Sequence, residues 1–135
     1  MVGIVIVSHD RIGEEMVAVT KKILPDAEGI IAVAINSNAS VDTNRQKIAA
    51  AVAEVDKNNG VLLLSDMFGG TPSNLCLSFL GKPKLEVISG INLPMLIKLA
   101  GDRRNRTFEE LVEFIRDYGR KNIVIASKVL EGNIS

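Results

Sequence analysis

Short apolar runs rich in β-branched residues recur along this chain: Val2 to Val7, Ile30 to Ile35, Val61 to Leu64, Leu85 to Ile88 and Ile123 to Ala126. Each is too short for a helix and too apolar to face water, so each reads as a buried strand. Between them the period changes. Ile12, Met16, Val19 and Ile23 share one helical face, as do Ile48, Ala51, Val52 and Val55, and again Leu111, Phe114, Ile115 and Tyr118. The punctuation agrees with this: Pro25 follows the first helix, Thr71-Pro72 and Asn92 with Pro94 each set a capping side chain before an early-turn proline, and Thr107 with Glu110 spells a capping box. Gly119 reads as the stop of the last helix. Repeated strand–helix units need right-handed crossovers, which predicts an α/β fold whose parallel sheet is covered by helices on both faces.

A chain of 135 residues with no linker, repeat or low-complexity segment is expected to form one domain over 1–135, large enough to bury a core unaided. Hydrophobic residues make up 47% of it, yet no apolar run reaches the roughly 18 residues of a membrane span, and no charged leader opens the chain. The expectation is a cytoplasmic protein without membrane insertion. Sixteen basic and sixteen acidic residues cancel, so no overall field draws in nucleic acid. The lone Cys76 has no partner for a disulfide or a zinc site and reads as a small core residue. One stretch stands apart, Gly101-Asp102-Arg103-Arg104-Asn105-Arg106, and it reads as a solvated loop in preference to an anion or partner site.

His9, the only histidine, directly follows the first strand, where open α/β sheets bind their ligands. Asp66 follows the third strand in the same way. If the strand order begins 2-1-3, the connections leaving those two strands run to opposite faces, and His9 and Asp66 flank the crevice that opens between them. Gly69 and Gly70 give the backbone a tight turn and room for a ligand. Thr71 can cap a helix starting at Pro72, where free N–H groups suit an anion such as phosphate. The Gly, Lys and Ser/Thr spacing of a nucleotide-binding P-loop is absent, as is the dinucleotide pattern.

This combination suggests covalent catalysis on histidine. A carboxylate bonded to one ring nitrogen fixes the tautomer and offsets positive charge on the ring while the other nitrogen attacks. Asp66 fits that orienting role. Charge on the phosphoryl oxygens would be met by N–H groups from Gly69 to Ser73 and by the Thr71 hydroxyl, with no metal or cofactor invoked.

Ile4 to His9, the Asp-x-x-Gly-Gly-Thr-Pro-x-Asn pattern within Val61 to Asn74, and Val87 to Leu96 together resemble the enzyme IIA component of the mannose family of the bacterial phosphoenolpyruvate-dependent sugar phosphotransferase system. The resemblance implies that His9 accepts a phosphoryl group on Nε2 from the histidine-containing phosphocarrier protein and passes it to a IIB component in sugar uptake. Asp66 would hold the Nδ1 proton and Thr71 would be the hydroxyl residue beside the phosphate. It also implies a three-layer α/β/α fold with strand order 2-1-3-4, and a homodimer exchanging a last, antiparallel strand around Asn122 to Val129. With no IIB module following, the acceptor is expected to be a separate protein, and association with a membrane permease complex is compatible with that role. One position departs from the pattern: Asp10 stands where the family has glycine, which puts a negative charge near the incoming phosphate.

Other readings remain open on sequence alone. A regulatory module of the same fold would use the His9 phosphorylation state to control a partner protein. A relay supplying phosphate to dihydroxyacetone kinase fits the Gly-Gly-Thr-Pro segment less well. A receiver domain phosphorylated on Asp66 would need an acidic pair after the first strand, where this chain has His9-Asp10. A binding module would use the crevice for a small anion without chemistry.

Overall fold

The computed structural model describes residues 1–132, so the last three residues of the expected 1–135 domain lie outside the described residues. The elements run β1 (Gly3–His9), α1 (Ile12–Ile23), β2 (Ile30–Ile35), α2 (Val41–Val55), β3 (Val61–Ser65), α3 (Thr71–Leu77), β4 (Leu85–Ser89), α4 (Leu93–Asp102), a 3₁₀ turn (Arg103–Asn105), α5 (Phe108–Lys121) and α6 (Ala126–Leu130). The four strands are parallel in the order β2-β1-β3-β4, as expected.

Side-chain alternation on the central strands builds the three layers. Ile4, Ile6, Leu62 and Leu64 point to one face and meet Val17 of α1, Met95, Leu96 and Leu99 of α4, and Leu111 and Ile115 of α5. Val5, Val7, Val61 and Leu63 point to the other and meet Ile48, Ala51 and Val55 of α2 and Leu75 and Cys76 of α3. The fully buried Ile, Leu and Val side chains among them each contribute about 1.5–3 kcal/mol relative to exposure. Because α1 covers one face and α3 the other, the connections leaving β1 and β3 part, and the crevice opens between those strand ends.

Capping explains most helix starts. Asn92 accepts from the Met95 N–H, Thr107 from the Glu110 N–H, and Ser40 from the Thr43 N–H. Three sequence readings need correction. Thr71 does not cap α3: it is the first helical residue, and Gly70 holds the capping position without a side-chain bond. Gly119 does not end α5, which continues to Lys121. A Cβ at Gly119 would lie 2.5 Å from the Met95 sulfur, so this glycine permits close packing of α5 on α4. The fifth strand over Ile123 to Ala126 is not formed. Residues 123–125 are exposed and 126–130 turn into α6, because a strand needs a neighbour to bond to and none of the described residues pairs with this segment. No helix among the described residues is long and apolar enough to cross a membrane.

Candidate functional site

β1 delivers His9 and β3 delivers Asp66 to the same edge of the sheet, the register running Val7 opposite Ser65. One oxygen does most of the joining: Asp66 Oδ2 accepts the His9 backbone N–H at 3.0 Å and lies 2.8 Å from the ring Nδ1. Oδ1 accepts the Met67 N–H at 3.1 Å. The Asp66 side chain is 12% exposed and that of His9 43%, so the carboxylate is sheltered while the ring reaches solvent.

Burial pushes the Asp66 carboxyl upward, but hydrogen bonds from the His9 backbone and ring, the charge the ring can carry, and the Met67 N–H outweigh it. The group is held below its ordinary 3.8. An ionised carboxylate can only accept, so Nδ1 carries the proton and the lone pair resides on Nε2.

Nε2 faces the glycine turn. A Cβ built on Gly70 would fall 2.9 Å from Nε2 and 2.6 Å from Cε1 of His9, so only glycine lets the ring lie this close to the loop backbone. Gly69 has φ +94, a conformation that side chains rarely adopt, and its Cβ direction opens into free space. Thr71 is exposed at the start of α3 and its hydroxyl makes no hydrogen bond among the described residues. Ser73, expected at the phosphate, is fully buried and its hydroxyl lies 3.5 Å from that of Ser89, turned away from solvent.

Residues that the sequence reading passed over support the site from below. The Ser65 hydroxyl donates to that of Ser89 at 2.6 Å and lies 3.3 Å from the Met67 carbonyl. Ser8 Oγ accepts the Gly13 N–H at 2.8 Å and lies 3.2 Å from the Asp10 carbonyl. These serines tie the loops after β1 and β3 to the sheet. A serine at the end of each of those strands was a visible signal.

Asp10 takes φ +47 and is exposed to solvent. The residue capping α1 is Arg11, and Arg11 pairs with Glu14 and Glu15. The Asp10 carboxylate has no ion-pair partner among the described residues. Cys76 is buried, and burial followed by the nearby Asp66 charge pushes its thiol up to about 12, in keeping with a core residue. No group of three or more His, Cys, Asp or Glu among the described residues is arranged to hold a metal ion.

Comparison with known proteins gives a consistent result. A family model, EIIA-man, described as the PTS system fructose IIA component, matches residues 3–116. The chain is 24% identical over 132 residues to the PTS system fructose-specific EIIA component of Bacillus subtilis (strain 168), covering 97% of this chain and 90% of that protein. It is 30% identical over 124 residues to the PTS system mannose-specific EIIAB component of Escherichia coli (strain K12), covering 90% of this chain but only 38% of that longer protein. Among solved structures it resembles the mannose/sorbose specific IIA subunit of the phosphotransferase system from Enterococcus faecalis, with a TM-score of 0.81 and 27% identity over 91% of this chain and 92% of that one.

Proposed function

This chain belongs to the PTS system fructose IIA component family, the mannose-type IIA phosphotransferases, and from that premise we propose that His9 is the residue phosphorylated, on Nε2, and that Asp66 orients it. The observation that carries the proposal is the two-sided hold on the ring: Nδ1 is 2.8 Å from Asp66 Oδ2, while Nε2 is turned to the glycine turn at Gly70.

The chemistry follows from the charges. Nε2 attacks phosphorus, the P–N bond to a donor imidazole protonated on its other nitrogen breaks as the bond to Nε2 forms, and the donor ring keeps that proton and leaves neutral. Positive charge then rests on the His9 ring, opposite the ionised Asp66. The phosphoryl oxygens meet backbone N–H groups of Gly69, Gly70 and Thr71 and the free Thr71 hydroxyl, so charge is met by groups already in place.

A protein donor fits the surroundings. Met67 is 54% exposed and Phe68 72%, so the loop that carries Asp66 presents apolar surface of the kind protein partners cover. The donor in this reading is the histidine-containing phosphocarrier protein and the acceptor a separate IIB component in sugar uptake. In this reading the domain works in the cytoplasm, in reach of a membrane permease complex. We extend the reading to a homodimer: Ile123, Val124 and Ile125 are exposed, and β4 ends the sheet with an unpaired edge. Passing that segment to a second copy as an antiparallel strand on β4 would cover both.

The test is incubation of the full chain with labelled phosphoenolpyruvate, enzyme I and the phosphocarrier protein. Label that is lost in acid, kept in alkali and absent from His9→Ala supports the reading. Equal labelling of the variant and the parent overturns it.

A further inference from the structure

The basic stretch read from sequence as a solvated loop is not solvated at its centre. Arg103 is 2% exposed. Its Nη2 donates to the Glu28 carbonyl and its Nη1 to the Gly29 carbonyl at 3.4 Å, while Nε has no hydrogen-bond partner. It takes part in no ion pair among the described residues. Burial, with the charge of Arg104 beside it, lowers its pKa to about 10, which still leaves it charged at neutral pH. A buried cation held only by carbonyls is costly, and such charges are ordinarily matched by an anion.

Arg103 forms part of the wall of a cavity of about 410 Å³, together with Lys84, Arg104, Arg106, Thr107 and Glu109. The cavity lies at the amino ends of β1, β3 and β4, the opposite pole of the sheet from His9. Of its cations, Arg106 is committed to Asp102 at 2.6 Å, and Arg104 reaches only an exposed Glu28 at 3.5 Å. Lys84 has no ion pair among the described residues. Glu109 is the one acidic side chain on the wall. The fourteen-residue α5 begins at the same cavity. Thr107 satisfies the Glu110 N–H, which leaves the Phe108 and Glu109 N–H groups without a partner among the described residues.

We propose that this cavity is a second anion site that binds a phosphate group, held by Lys84, Arg104 and the first N–H groups of α5 above the buried charge of Arg103. The site takes no part in phosphoryl transfer and does not depend on the role of His9. Inorganic phosphate and the phosphate of a sugar phosphate share the required chemistry.

The test is an amide NMR titration of the full chain with sodium phosphate and, separately, with a sugar phosphate, each against sodium chloride at matched ionic strength. Saturable shifts of the Lys84, Phe108 and Glu109 amides are expected. Tighter binding of the sugar phosphate would mean that its organic part also lies in the cavity. Lys84→Gln with Arg104→Gln changes two exposed side chains, and their joint loss should weaken binding about tenfold or more, as two lost charge-assisted contacts require. Shifts at Gly69 to Thr71 belong to the His9 site and should survive in that variant. Shifts at the α5 amides that sodium chloride reproduces, or an affinity unchanged in the double variant, would overturn the proposal.

Discussion

Replacing Gly70 by alanine separates the placement of the His9 ring from the stability of the fold. The backbone there has φ −91 and ψ 174, which alanine adopts without strain. The whole effect therefore comes from the new methyl group, which would lie 2.6 Å from Cε1 and 2.9 Å from Nε2 of His9. An ordinary carbon–carbon contact needs about 3.5 Å, so the ring or the loop must retreat by roughly 0.9 Å. The 2.8 Å Nδ1 to Oδ2 contact cannot survive a ring movement of that size. Misplacement by about 1 Å can cost on the order of 10²-fold in rate, and that is the expected loss of phosphoryl transfer. Stability should stay within about 1 kcal/mol of the parent, because the entropic gain from removing a glycine opposes crowding against a ring that is free to move outward. Gly69→Ala is the control. Its Cβ would meet nothing within 4 Å, but φ +94 strains it, so it should lose about 1–2 kcal/mol of stability while the ring nitrogens keep their shifts. Transfer from the labelled phosphocarrier protein and the nitrogen shifts of the His9 ring read out both variants. A Gly70→Ala protein with parental rate and parental ring shifts would refute the account of the site.

Asp66 should remain ionised below 3.8 in a carbon-detected titration, since its bonds to His9 and Met67 outweigh burial. A carboxyl depressed on folding adds stability above its unfolded pKa, about 3.9, and loses it as pH falls through the lower folded value, so Asp66→Asn should flatten the stability profile in that acid range; a carboxyl titrating above 3.8 counts against this. Asp10→Gly should relieve the φ of +47 and remove a charge near the phosphoryl group. A repulsion of about 1 kcal/mol across some 6 Å near the surface corresponds to roughly a fivefold shift of the phosphoryl equilibrium toward this protein, weakened by salt; an identical, salt-insensitive constant would show no electrostatic role. Ending the chain at Lys121 should abolish dimers in sedimentation and lower solubility by baring the β4 edge, whereas a dimer that persists would place the interface elsewhere.

The layers were legible because they follow from patterns repeated along the chain, whereas the strand order, and with it the pairing of His9 with Asp66, rested on the family resemblance. Ile30 to Ile35 was read to the residue as β2, and Asn92 and Thr107 act as caps, since both signals are local. What sequence reading missed is tertiary. Gly119 looks like a helix stop until Met95 is seen against it, and Thr71 looks like a cap until Gly70 is seen holding that position. Arg103 looks solvated until the Glu28 and Gly29 carbonyls close over it from 75 and 74 residues away. The segment Ile123 to Ile125 has strand composition, but a strand is a property of a pair, and among the described residues the second member is missing.

The site's geometry is set by the core as much as by its own residues. Asp66 Oδ2 bonds both the His9 backbone and the His9 ring, so the angle of the ring is tied to the register of β1 on β3. Slipping that register by one residue would carry Asp66 about 3.3 Å along the strand and turn it to the other face, out of reach of both bonds. What opposes the slip lies at the ends of the uniformly apolar run: the Ser65 hydroxyl bonded to that of Ser89, the Ser8 hydroxyl accepting the Gly13 N–H, and Gly3, where any Cβ would fall 2.5 Å from the Val55 carbonyl oxygen. Gly70 bounds the other side of the ring and belongs to the same loop as Asp66. A single connection after β3 thus supplies both the acceptor that fixes Nδ1 and the open backbone that leaves Nε2 room to react.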